Sequence, residues 1–137
     1  MVAVAEKSPA VREIDINAIG VIDREIAQFP KAECPVTGIF TPGLYTRRIF
    51  MPAGTRIRSK IHETEHQYIV SQGATYVSEN GKPMFLLVAP YHGVTKPGTW
   101  RELFVLMDCI WTTMHPTNKT TVEEVEAEII ASFEDKK

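Results

Sequence analysis

The sequence predicts one mainly β domain, of jelly-roll or small-barrel type, with an amphipathic helix at each end. Three observations lead there. A chain of 137 residues, 44% hydrophobic and 23% charged, has room for one hydrophobic core and not for two. Between residues 44 and 117, short runs rich in Val, Ile, Tyr, Phe and Thr are interrupted by Gly- and Pro-containing turn signals at the spacing of a sandwich or barrel. On either side of that region, apolar residues recur at three- and four-residue steps, the period of a helix face.

Residues 1 to 13 carry few large apolar groups and contain Pro9, so they read as a loose arm. From Ile14 to Phe29, the positions Ile14, Ala18, Ile19, Ile22, Ile26 and Phe29 share a helical face. Asp15 or Asn17 can cap its start, Pro30 stops it, and Gly20 weakens it. Pro30, Pro35, Gly38, Pro42 and Gly43 then predict an irregular connection packed on the β domain. Strands follow over Tyr45–Met51, Arg56–Ile61, Gln67–Val70, Ala74–Ser78, Met84–Val88, Gly93–Lys96, Leu103–Met107 and Ile110–Met114. After Pro116 the helical period returns. Thr120 and Glu123 form a capping-box pair, and Val122, Val125, Ile129 and Phe133 fall on one face. The chain thus divides into an arm, helix and connection (1–43), a β-barrel (44–117), and a C-terminal helix and tail (118–137).

Composition excludes several classes of function. A formal net charge of −2 argues against coating nucleic acid or an anionic membrane, which takes many uncompensated Lys and Arg. Cys34 and Cys109 form no Cys-x-x-Cys pair and suit a reducing compartment as small buried hydrophobes. The N-terminus lacks a basic stretch followed by a long apolar run, and no segment has the length and apolarity of a membrane span. The expectation is a cytoplasmic protein.

Chemistry concentrates around His62-Glu-Thr-Glu-His66, a literal His-Glu-x-x-His. In zinc peptidases that pattern works because a helix puts both imidazoles on one face. Here the flanks are β-prone, which sets the peptidase reading aside. In a strand–turn–strand frame the spacing is Gly54-x5-Lys60-x-His62-x3-His66-x6-Gly73. This resembles the first motif of the cupin superfamily, Gly-x5-His-x-His-x(3–4)-Glu-x6-Gly, with Lys60 in place of the first His and His66 in place of the Glu. The segment Val94-Thr-Lys-Pro97-Gly98-Thr-Trp-Arg101 resembles the second motif, with Arg101 where the third His ligand belongs. The stretches Glu33-Cys-Pro35, Phe40-Thr-Pro-Gly-Leu-Tyr45, Met51-Pro-Ala-Gly54, Ala89-Pro-Tyr91, Lys96-Pro-Gly98 and Trp111-Thr-Thr-Met-His-Pro-Thr117 are similar to small cupin-like proteins of tailed bacteriophages and prophages.

The resemblance implies a double-stranded β-helix whose lumen receives the side chains at Lys60 and His62. Three ligand readings follow. A divalent metal, zinc, nickel, iron or manganese, could be held by His62 and His66, with Glu63 or Glu65 supplying a carboxylate if the turn folds inward. That is the site of a metal-dependent isomerase or dioxygenase. Alternatively Lys60, His62, His66, Arg101 and Arg58, with Tyr68 stacking a ligand ring, could bind a small anion such as a nucleotide, sugar phosphate or carboxylate. Residues 45–62 hold Arg47, Arg48, Arg56, Arg58 and Lys60 and no acidic residue, which favours the anion. On the third reading, basic residues alternating along a strand form a solvated face and the protein is a structural or interaction module. The terminal helices and the aliphatic face of Ile57 and Ile61 would then supply a homodimer interface. His92 and His115 read as structural, one in a turn and the other closing the last strand.

Overall fold

The computed structural model describes residues 16–131. Helix α1 (Ile16–Ile26) is followed by strands β1 (Val36–Thr41), β2 (Leu44–Met51), β3 (Arg56–Arg58), β4 (His66–Glu79), β5 (Phe85–Val88), β6 (Tyr91–Thr95) and β7 (Arg101–Pro116), and then by helix α2 (Val122–Ile129). The mainly β architecture with two flanking helices is as the sequence predicts. The closed barrel is not: all seven strands belong to one antiparallel sheet in the order β1-β2-β7-β4-β5, with β3 on β7 and β6 on β4, and it does not close.

Two pairs of predicted short strands are single long ones. Gln67–Val70 and Ala74–Ser78 merge into β4, and Leu103–Met107 and Ile110–Met114 merge into β7. The Ser71-Gln-Gly73 signal is an irregularity inside a strand, where the β4–β7 register shifts between Val70 and Thr75. Gly73 has φ +93°, and a Cβ there would collide with the backbone of Asp108. The inserted residue exchanges the faces: His66, Tyr68 and Val70 are buried before it, Thr75 and Val77 after it.

Strand β1 lies in the stretch expected to be irregular. It is an edge strand with all six residues exposed, so no alternation marks it, and the flanking Pro35 and Pro42 sit outside its ladder with β2. Its Gly38 leaves room for Tyr45, whose hydroxyl would lie 2.7 Å from a Cβ at that position.

The main core joins Met51, Tyr68, Val70, Val77, Leu87, Leu103, Val105, Cys109 and Trp111, residues of four strands that meet because the sheet folds over itself. Helix α1 seals one end. Ile19 packs with Ile61, Trp100 and Ala131, Asp23 takes both Nε and Nη2 of Arg58 at 2.7 and 3.0 Å, and Glu25 pairs with Arg56 at 2.9 Å. Ile61 is fully buried and Ile57 packs on the main core, so the aliphatic face once available for a dimer is interior. Helix α2 is capped one residue later than predicted. Thr121 Oγ1 accepts from Glu124 N at 3.3 Å and donates to Glu124 Oε1 at 3.0 Å. Its Val125 and Ile129 pack with Tyr45 and Ile130, while Val122 is largely exposed. Ile14, Asp15 and Phe133, assigned to helix faces or caps, lie outside the described residues. Among the described residues Cys34 and Cys109 are free thiols and no helix is long and apolar enough to cross a membrane.

Candidate metal centre and its cavity

Strand alternation builds the site. Along β2 the residues Tyr45, Arg47, Ile49 and Met51 face one way, and along β7 so do Arg101, Leu103, Trp111, Thr113 and His115. Together with Ile57, Arg58, Ser59, Lys60, His62, His66 and the Glu126 side of α2, they enclose a cavity of about 220 Å³.

Three imidazoles converge in it. His66 opens β4 and His115 lies near the end of β7; the pairing of Gln67 with Met114 brings them side by side, with ring centroids 4.2 Å apart. His62 comes from the loop between β3 and β4, its ring 4.7 Å from that of His66 and 5.9 Å from that of His115. One ring nitrogen from each falls within a 4.8 Å group. The loop is fixed by its backbone: His62 N donates to Thr99 O, Gly98 N to His62 O, Glu63 N to Ile129 O and Ala131 N to Ile61 O. The end of α2 and the β6–β7 turn therefore hold His62 in place.

Hydrogen bonds select the tautomers. Thr64 O can only accept, so Nδ1 of His66, 3.2 Å from it, carries the proton and Nε2 the lone pair. Thr113 Oγ1 donates to Arg47 O at 3.5 Å and so accepts from Nε2 of His115 at 2.9 Å, leaving the His115 Nδ1 lone pair free. Nδ1 of His115 and Nδ1 of His62 are buried with no hydrogen-bond partner. Buried polar atoms rarely lack partners, and clustered neutral imidazole nitrogens are what a divalent metal uses. All three imidazoles are held neutral. Burial lowers His66 to about 4 and His115 to about 3, and burial with the neighbouring His66, His115, Arg101 and Arg47 puts His62 well below the usual value. The cluster has the residue types and spacing to coordinate a divalent ion.

The other site residues named from sequence are distributed as follows. Lys60, Arg58 and Arg101 all line the cavity beside His62 and His66. Arg58 is engaged by Asp23, and Arg101 by Glu79 Oε2 at 2.9 Å and Thr95 Oγ1 at 2.9 Å. Tyr68 is not part of the lining. Its ring is stacked on Trp111 at 4.7 Å and covered by the Arg101 guanidinium at 4.7 Å. Neither Glu63 nor Glu65 reaches the lining; Glu65 pairs with Lys96 at 3.0 Å, and Glu126 of α2 is the acidic lining residue among those described. His92, expected in a turn, lies in β6 and is bonded to Gln67 at 2.7 Å on the exposed side. His115, read as structural, is instead the third member of the cluster. The signal in the sequence was its even spacing from Trp111 and Thr113, which puts the three side chains on one face of a strand. Cys109 is fully buried, and burial raises its thiol to about 11, so it is no nucleophile.

The antiparallel, folded-over sheet is similar in fold to double-stranded β-helix proteins. Solved structures bear this out at the level of fold. A conserved protein with a double-stranded β-helix domain from Klebsiella pneumoniae aligns with TM-score 0.56 and 15% identity, over 73% of this chain and 90% of that one. An RmlC-like cupin from Methanocaldococcus jannaschii aligns with TM-score 0.53 and 8% identity, over 64% and 84%. KdgF from Halomonas sp. aligns with TM-score 0.52 and 17% identity, over 66% and 86%. None of these three comes from a bacteriophage. No family model and no curated protein matches the chain.

Proposed function

We propose that the protein is a metal-dependent cupin enzyme, of isomerase or dioxygenase type, that works on a small molecule in the cavity between β2, β7 and α2. The observation that carries this is the convergence of three neutral, buried imidazoles with two ring nitrogens unpartnered. His62, His66 and His115 would hold the ion, a three-histidine set that leaves further positions open to substrate. When bound, such an ion supplies Lewis acidity toward a substrate oxygen. The remaining tasks belong to the chain. Thr64 and Thr113 fix the imidazole orientations, and Arg101 bolts the cavity floor to β4 through Glu79 and β6 through Thr95. Ile49, Met51, Leu103 and Trp111 form an apolar wall that excludes water. A phage origin, which rests on the resemblance of the stretches quoted above, and a cytoplasmic setting, which rests on the free thiols of Cys34 and Cys109, are part of the same reading.

The test is elemental analysis with native mass spectrometry on protein purified without a chelator or metal-affinity tag. One divalent ion per chain, lost in His115→Ala and in His62→Ala, is the expected result. Protein that neither carries an ion nor takes up added zinc, iron, manganese or nickel ends the proposal.

A second reading, self-association, has its own observation. Leu86, Tyr76 and Phe104 form a cross-strand row over β5, β4 and β7, all exposed, with Val88, Leu106 and Met107 also exposed nearby. A homodimer through this outer sheet face would cover it. Sedimentation at micromolar concentration that shows a monomer excludes that arrangement.

A further inference from the structure

The cavity's charges do not balance. Among the cations that line it, Arg58 is paired with Asp23 and Arg101 with Glu79. Arg47 and Lys60 have neither an ion pair nor a side-chain hydrogen bond among the described residues, although both are half-buried. Arg47 sits in the middle of β2, opposite Thr113, on the inward face between Tyr45 and Ile49. Its side chain shares the cavity lining with His62, His66 and His115. Three neutral imidazoles do nothing to offset a bound dication. Against that dication, Arg47 and Lys60, the lining offers one carboxylate among the described residues, Glu126, and its neighbours on α2 and at its C-cap are the apolar Val122, Ile129 and Ile130.

The geometry points to Arg47, with Lys60, as the anion subsite of this cavity, and to a small carboxylic acid as its ligand class. The acid group spans Arg47 and the centre of the triad, and the apolar remainder lies on Ile49, Met51, Leu103 and Trp111. A planar guanidinium matches a carboxylate bidentately, and in a partly buried cavity that pair is strengthened by low water content. The inference rests on the proposed metal site for half of the positive charge. Arg47 and Lys60 supply the other half whether or not an ion is bound.

The test uses acetate, malonate and salicylate, with salicylamide as the neutral counterpart of salicylate, titrated calorimetrically into zinc-loaded and chelator-treated protein. Metal content is measured in parallel on every sample. The expected result is at least one acid bound, a tenfold or greater preference for salicylate over salicylamide if salicylate is the one that binds, and a tenfold or greater loss in Arg47→Gln with zinc stoichiometry unchanged. Lys60→Gln should weaken binding less, and Arg48→Gln, on the opposite and exposed face of β2, should leave it unchanged. Absence of binding by all three acids, or equal binding by wild type and Arg47→Gln, overturns the inference. If the protein takes up no zinc yet binds an acid through Arg47, the metal reading falls and the anion subsite stands.

Discussion

Lowering the pH from 7.5 to 5 in the presence of a chelator should strip the fold of a large share of its stability, through the histidine triad. His66 and His115 are 4% and 1% exposed, and their pKa values fall from the model-peptide 6.5 to about 4 and about 3. Because the folded values are depressed, the stabilisation is fully present above the unfolded pKa. It is lost as pH falls from about 6.5 toward the folded values, since only the unfolded chain takes up the protons. At pH 5 each unfolded imidazole gains about 2 kcal/mol by protonation, so the pair should cost about 4 kcal/mol, to which His62 adds. For a domain of this size, with an m-value of about 2 kcal/mol/M, that is a drop of about 2 M in the urea midpoint. The groups around the triad are Tyr45 and Arg47 of β2, Lys60 of the β3–β4 loop, Arg101 of β7 and Glu126 of α2. Urea denaturation at half-unit steps, monitored by tryptophan fluorescence, gives the slope. A midpoint that is flat between pH 7.5 and 5, or a slope unchanged in His66→Gln/His115→Gln, would refute the burial of neutral imidazoles.

Other substitutions separate scaffold from site. Arg101→Ala leaves Glu79 and Thr95 without their partner and removes the cover from Tyr68, so it should destabilise by about 2–4 kcal/mol in chemical denaturation, whereas Lys60→Ala should change stability by less than about 0.5 kcal/mol. Gly73→Ala must place a Cβ against the Asp108 backbone at a positive φ; a loss of more than about 2 kcal/mol is expected, and a neutral result would mean that β4 is not irregular there. Thr121→Ala removes the α2 cap and should cost about 1 kcal/mol. Because α2 ends where His62 is held, it should also weaken zinc uptake in a competition titration. Cys109 should resist thiol reagents until the protein unfolds, which a time course in native buffer and in denaturant would show.

What could be read in the chain follows from local physics. The two helices were legible because α1 and α2 each bury one face, and the β class was legible because short runs rich in Val, Ile, Tyr, Phe and Thr are punctuated by Gly and Pro turn signals. The convergence of His62 with His66 also followed from spacing and resemblance. The rest needed contacts between distant residues. Edge strand β1 buries nothing, so its sequence carries no alternation to find. The continuity of β4 through Gly73 depends on Asp108 lying against it, 35 positions away in sequence. Only the tertiary structure pairs Arg101 and Arg58 with acids and leaves Arg47 without one, because an ion pair is a property of two folded surfaces and not of either segment. His115 became the third imidazole for the same reason: the sequence set the side of β7 from which it projects, and the β4–β7 register decided that His66 would be beside it.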